Sequence, residues 1–394
     1  MPVELLASTL CLSLAVCHAI MNTVSGQLVP HIPYSNGGKS DNKHAARCGL
    51  LFFFFNITRT FNRATLINEC QYFQNMLTGH RWMESDSDSV TLQNDHIVAM
   101  EILLRKLHGT LGAMSVTEVS VADVWHLVLA CDKYGLNPKE FRGWFASWAK
   151  HAATQIDTLY GRDERIYYRQ TLYPSWATDH AALFAEATQS LVYRSETHIT
   201  ERNPTKVDQM HLPPRILQQM NAVRGRLRNI AHKGLFDRIA RILQVSSAPC
   251  CERTVFEFFR ELQRISVWPF EDCMRHCSID DLVFRMKRFD ASKMRGYTDP
   301  ETKKPVDCCF CEHDWKAVVA GAAKRVEAYF DGLCLDCMDL TKNLHKGGDR
   351  DRDYWAYMLP RDRYDEDCRI KHGEPTWYFS FMGRREKKGL IADV

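Results

Sequence analysis

Four cysteines near the C-terminal end of the sequence have the spacing of a metal site. Cys308 and Cys311 are separated by two residues, as are Cys334 and Cys337, and 22 residues lie between the two pairs. Two-residue spacing lets both thiolates of a pair face one ion, and two such pairs complete a closed, tetrahedral zinc site. We therefore predict a structural zinc ion bound by these four side chains. Reduced cysteines packed in a small core are the alternative interpretation.

Further cysteines and histidines leave the ligand set open. Cys309 and His313 stand beside the first pair and are spare ligands. Cys273 and Cys277 are four residues apart, a step that places two side chains on one face of a helix, and the segment 368–372 has a cysteine and a histidine at the same step. Either of these two pairs of residues could donate a ligand or form a second site.

The segment Cys334-Leu-Asp-Cys337 also has the spacing of a thioredoxin-type redox pair. That chemistry needs the first cysteine at the N-terminus of a helix that follows a strand, where its pKa is lowered. Here a predicted helix at residues 316–330 precedes the pair. The sequence contains no P-loop, G-x-G-x-x-G, G-x-S-x-G or H-E-x-x-H motif. A thiol-redox enzyme is therefore the least favoured hypothesis, and we predict a protein that is not an enzyme.

The N-terminal half is predicted to form a helix, a short strand and three further helices. Apolar residues recur three or four positions apart in each helix, and Gly109 and Gly135 follow two of the helix ends. Residues 90–92 form the β-prone run, and Asp95 has the place of a helix N-cap. The first helix is predicted to bury a stripe of four residues: Leu66, Cys70, Phe73 and Leu77.

The last helix of this series has the clearest start. Asn137 is its predicted N-cap, Pro138 has the first helical position, and Glu140 completes a pattern similar to a capping box. Its predicted buried stripe consists of four aromatic residues: Phe141, Trp144, Phe145 and Trp148.

The order of these elements, with the segments YFQNMLTGHRWMES, VTLQND, AMEILLRKLHG and LVLACDKYG, resembles the BTB/POZ domain in the version common in fungal proteins. The resemblance covers about a quarter of the chain. It implies a protein–protein interaction module: a cullin ubiquitin-ligase substrate adaptor or a transcription-associated scaffold. In that family a hydrophobic-x-Glu motif contacts cullin scaffolds, and Trp82-Met83-Glu84 has its place here. Trp82 and Glu84 are therefore the implied partner-binding residues, although Trp82 could equally cover the domain core.

One departure from the family concerns the front of the domain. The family begins with a β-hairpin that leads into the first helix, and FNRATL at residues 61–66 keeps the end of that pattern. The preceding CGLLFFFFNITRT indicates neither a paired strand nor a hairpin turn. Members of the family commonly dimerise through the first helix and an N-terminal strand. We therefore expect a truncated domain that forms a weak homodimer or none.

The helical periodicity and the family resemblance together imply a mainly α protein of several domains: an α+β BTB-like domain with a short residual sheet, then a helical cysteine-rich domain. A length of 394 residues suffices for two or three cores, and ten of the 15 cysteines follow residue 249. The predicted organisation is a leader (1–60, disordered or atypical), the BTB/POZ-like domain (61–152), a helical extension with a basic amphipathic helix (153–245), the cysteine-rich helical domain (246–345) and a tail with an aromatic segment (346–394).

The basic helix at residues 215–241 supports a second hypothesis, a nucleic-acid-associated regulator. A nucleic-acid surface would usually show interleaved aromatic residues or a strongly basic chain, and the net charge here is only +3. We therefore favour a solvated basic face on a packing helix. Seven basic residues stand there beside the single acid Asp237: Arg215, Arg224, Arg226, Arg228, Lys233, Arg238 and Arg241.

The N-terminal leader contains an apolar run at residues 5–20. A secretory signal would carry a basic residue before this run and a small-residue cleavage site after it, whereas Glu4 stands at the front and no clear site follows. The run is also short for a membrane span. We therefore expect a cytoplasmic or nuclear protein with protein partners and no membrane partner.

Overall fold

Helices dominate the computed structural model, which confirms the predicted mainly α fold class. The structure describes the backbone of residues 49–54, 57–78, 82–92, 94–156, 162–207, 210–245, 248–305, 314–338 and 368–370.

A three-stranded sheet stands at the start of the described chain, in the order β2-β1-β3. Strands β1 (Gly49–Phe54) and β2 (Ile57–Asn62) are antiparallel, and β3 (Ser89–Thr91) is parallel to β1. The expectation of an unpaired front segment is therefore wrong. The run of phenylalanines lacks the alternation that indicates a half-buried strand, but a continuous apolar run is also compatible with a strand in a sheet.

Two short helices follow where the sequence predicted one. Helix α1 (Arg63–Glu69) begins after Asn62, whose side chain accepts hydrogen bonds from two backbone N–H groups of the first turn. Helix α2 (Gln71–Thr78) begins after Cys70, which has an extended backbone with φ −143° and ψ 118°. The break leaves the predicted stripe intact, because all four of its side chains are buried.

Three helices complete the N-terminal half: α3 (Ile97–Leu107), α4 (Val121–Tyr134) and α5 (Arg142–Ile156). Gly135 ends α4 with φ +70°, a left-handed conformation that favours glycine, so this predicted helix end is confirmed.

Two predicted helix starts need correction. The N-cap of α3 is His96, without a side-chain cap hydrogen bond, because Asp95 is engaged elsewhere. Asn137 does cap the next segment through a hydrogen bond from Lys139 N, but Pro138–Phe141 is a 3-10 turn and α5 begins only after it.

The C-terminal half of the described chain is helical. Its helices are α6 (Arg162–Ala177), α7 (Ala181–Arg194), α8 (Pro214–Val245), α9 (Pro249–Arg264), α10 (Phe270–His276), α11 (Ile279–Lys287), α12 (Trp315–Glu327) and α13 (Leu335–Met338).

Buried apolar residues form two clusters. One consists of residues from α1 to α5 and β3, together with Leu183 of α7, and the other extends from α6 to α13. Trp125 of α4 joins the two halves, because its indole N–H donates to Gln170 O at 2.7 Å and its ring stacks on Tyr173 at 4.6 Å. Both partners belong to α6, so the N-terminal core continues directly into the helical extension.

Candidate protein-interaction site

Trp82, Met83 and Glu84 form an exposed turn between α2 and β3. Met83–Ser85 is one 3-10 turn, closed by hydrogen bonds from the Ser85 backbone N–H and hydroxyl to Trp82 O at 3.1 and 2.8 Å. Trp82 is 57% exposed and Met83 is 92% exposed, whereas Glu84 is half-buried and Ser85 is buried. The turn therefore presents two large apolar side chains to solvent and holds one carboxylate beside them.

Trp82 and Glu84 also line a cavity of about 280 Å³. The cavity is enclosed by residues of α2, β3 and the C-terminal end of α4, including Tyr72 and Tyr134. Tyr72 is 39% exposed, and its ring meets that of Tyr134 at 4.8 Å in an edge arrangement. An aromatic rim beside a concave surface suits a partner side chain with an apolar body.

Asp95 forms the polar wall of this cavity. Its carboxylate accepts hydrogen bonds from Lys133 Nζ and from the Tyr134 hydroxyl, each at 2.8 Å, and its side chain is only 5% exposed. Burial first, and then Asp95, raises the pKa of Tyr134 far above its usual range. The phenol therefore stays protonated and keeps donating to Asp95, which fixes the end of α4 against the start of α3.

Arg63 fixes the backbone around the turn. It is a site residue that the sequence analysis did not identify. Its guanidinium donates to the carbonyl oxygens of Leu77 and Ser87, each at 2.9 Å, and also to that of Ser85. These carbonyls flank the turn on both sides. The residue stands in the FNRATL segment, but its acceptors are backbone atoms more than ten residues away, which no local sequence pattern indicates.

The predicted zinc ligands are only partly described. Cys308, Cys311 and the side chain of Cys337 lie outside the described residues. Cys334 is fully buried and directly precedes α13, and the neighbouring Leu333 N donates to Thr188 Oγ1 of α7 at 2.8 Å. Thiolates are the donors that structural zinc sites use, so the predicted set fits the ion chemically. Among the described side chains, no group of three or more potential ligands comes together.

Cys334 is also the first cysteine of the candidate redox pair at residues 334–337. Before Cys334 comes helix α12, followed by an irregular stretch at residues 328–334, rather than a strand. Helix α13, which follows Cys334, is described from Leu335 to Met338.

The basic helix at residues 215–241 lies within α8, and its arginines are not uniformly solvated. Arg224 is 6% exposed and Arg226 is 1% exposed. Arg224 donates to the carbonyl oxygens of Thr197 and Glu196, and burial lowers its pKa to about 10. The favoured interpretation of a solvated basic face is therefore wrong for these two residues, which serve packing.

Comparisons with known proteins assign no family to this chain. No protein-family model matches it, and neither the curated proteins nor the solved structures include a significant match. Along the described parts of the chain, no helix combines the length and apolarity needed to cross a bilayer.

Proposed function

We propose that this chain is a protein–protein interaction adaptor built on the BTB/POZ-like domain at residues 61–152, together with the hairpin that precedes it. The exposed apolar turn at Trp82 and Met83, beside the cavity that Glu84 lines, carries this proposal. The paired β-hairpin supports it as well, because the family begins with such a hairpin. The hairpin also removes the reason for expecting weak homodimerisation.

The chemistry of the turn defines the partner surface. Trp82 and Met83 need an apolar pocket, and burying a large side chain of this kind contributes about 1.5–3 kcal/mol. Glu84 needs a basic group or an N–H donor at the rim of that pocket. A cullin scaffold is the partner that the family resemblance implies, and a transcription-associated scaffold is the alternative within the same class.

The test measures binding of the purified full-length chain to an immobilised cullin scaffold. We expect Trp82→Ala with Glu84→Ala to weaken binding by about 30-fold, the effect of losing roughly 2 kcal/mol at a hot spot. Phe256→Ala is a matched control, because Phe256 is 58% exposed but belongs to α9. Its affinity is expected to equal that of the unmodified chain.

Two outcomes would contradict the proposal in different ways. Equal affinity of the double variant, with an unchanged circular dichroism spectrum, would exclude the turn as the binding surface. Absence of binding by the unmodified chain would exclude the cullin class of partner. Light scattering of the same preparation reports whether the chain dimerises.

A further inference from the structure

Two cysteines at the C-terminal end of α10 lie in direct contact. The sulfur atoms of Cys273 and Cys277 are 3.3 Å apart, and Cys277 Sγ donates to Cys273 O at 2.7 Å. Both residues are buried, with 7% and 3% of their surface exposed. The functional site proposed above does not use them.

Two arginines act on this pair, and the carboxylate of Asp281 acts on Cys277. Arg285 of α11 donates through Nη1 to Cys273 Sγ at 3.7 Å and to Ser266 O at 2.9 Å, so its guanidinium is fixed in place. Arg228 of α8 interacts electrostatically with both thiols. Guanidinium groups repel a metal cation and stabilise a thiolate, so this environment favours thiol chemistry over metal binding.

The two thiols have different roles in this environment. The contact between the two sulfur atoms and the Arg285 guanidinium lower the pKa of Cys273 against the opposing effect of burial. The same sulfur contact and burial raise the pKa of Cys277. Because Arg285 donates to its sulfur atom, Cys273 is the nucleophile of the pair, and Cys277 is the second thiol beside it.

The backbone allows the two sulfur atoms to join. Four helical residues advance about 6 Å, which is within the separation of Cα atoms that disulfides span. Cys277 is the C-cap of α10, with φ −129° and ψ 155°, and therefore lies outside the regular helix. A small shift of its side chain can close the gap without unwinding α10.

We propose that Cys273 and Cys277 are a redox modification site that forms an intramolecular disulfide by exchange with a small disulfide of the glutathione class. The Cys273 thiolate attacks one sulfur of that disulfide, forms a mixed disulfide and releases one thiolate, which takes the Cys277 proton. The Cys277 sulfur then attacks Cys273 Sγ and releases the second thiolate. Two protein thiols are oxidised, and one small disulfide is reduced to two thiols.

The test uses the reduced full-length chain, with oxidised glutathione as the probe. After exchange, the remaining thiols are alkylated and the chain is digested with trypsin. Cleavage after Arg275 places the two cysteines on separate peptides, 265–275 and 276–285, each with a single cysteine. We expect mass spectrometry to find these peptides joined by a disulfide, and separate again after reduction.

Two variants identify the roles of the thiols. Cys277→Ser should trap glutathione on Cys273, because the resolving thiol is absent. Arg285→Gln should slow alkylation of Cys273 about threefold, since less thiolate is present. Separate, fully alkylated peptides from the unmodified chain would overturn the proposal, and so would a peptide that links Cys273 to any other cysteine. Both outcomes are measured on the unmodified chain, so they do not depend on whether a variant folds.

Discussion

At the residue scale, Arg63 shows how one half-buried charge organises the candidate interaction site. Its three acceptors are the backbone carbonyls of Leu77 before the exposed turn, Ser85 at the end of the turn and Ser87 after it, so a single side chain fixes both ends of the segment that presents Trp82. The family resemblance indicates Trp82 and Glu84. It does not indicate Arg63, because the hydrogen bonds of this side chain form only in the folded chain.

Replacing Arg63 by alanine is expected to lower the free energy of unfolding by about 2 kcal/mol, because three carbonyls lose a charged donor. Urea denaturation of the full-length chain measures this change. Arg105→Ala is the control, since among the described residues the Arg105 side chain pairs with Glu101 one turn earlier at 2.9 Å, an arrangement that contributes about 0.5 kcal/mol or less. Equal effects of the two substitutions would show that Arg63 does not hold the turn.

Tyr134 leads to a prediction on pH dependence. Its pKa is raised in the folded state, so its contribution to stability is complete below the unfolded value of about 10 and decreases as the pH rises above it. Tyr134→Phe should therefore be less stable near neutral pH, by about 1 kcal/mol, and should lose less stability between pH ~9 and ~11. Parallel slopes for variant and parent in denaturation experiments across this range would contradict the assignment.

At the element scale, local patterns predict where helices form better than how they begin and pack. The predicted amphipathic helix at residues 215–241 and the predicted helix end at Gly135 are both present in the structure. The break at Cys70 is not predictable in this way, because the stripe of the two short helices continues across it with unchanged spacing. Asp95 likewise looks like a cap locally, and it pairs instead with Lys133 and Tyr134 from another helix.

Two glycines in α8 provide a matched test of helix packing. A Cβ atom at Gly234 would lie 2.6 Å from Ala322 Cβ of α12, whereas a Cβ at Gly225 would meet nothing within 4 Å. We expect Gly234→Ala to destabilise the protein by about 1–3 kcal/mol through overpacking. Gly225→Ala should stabilise it by up to about 1 kcal/mol through helix propensity. Thermal melts showing the same sign for both would disprove the close approach of α8 and α12.

At the scale of the whole molecule, the helical extension and the N-terminal core are packed together. Trp125 is fully buried and has its hydrogen-bond partner in α6, so a fragment that ends at residue 152 would expose it. The sequence indicates that Trp125 belongs to an apolar stripe. It does not indicate which helix covers the indole, because that contact joins residues 45 positions apart.

The segment from α12 to α13 is attached to α7 by several long-range hydrogen bonds. Tyr193 OH donates to Val326 O at 2.8 Å, and Gln189 Nε2 donates to Phe330 O at 3.2 Å. Arg369 binds the carboxylates of Asp179 and Asp336. Cys334 is buried in this region, so a zinc ion there would stabilise the contacts between the segment and the rest of the molecule.

Zinc analysis of the full-length chain tests this idea. We expect about one equivalent of zinc, which is released by chelators and by acid, because the ligands must be deprotonated thiolates. Structural sites of this kind contribute on the order of 10 kcal/mol in apparent binding free energy, so zinc removal should lower the melting temperature strongly.

Cys334→Ser with Cys337→Ser should lose the ion. Cys131→Ala should retain it, because Cys131 is a buried thiol of α4 whose pKa is raised to about 12 by burial. Less than roughly a tenth of an equivalent in the unmodified chain, with its helical signal intact, would leave reduced core cysteines as the correct interpretation.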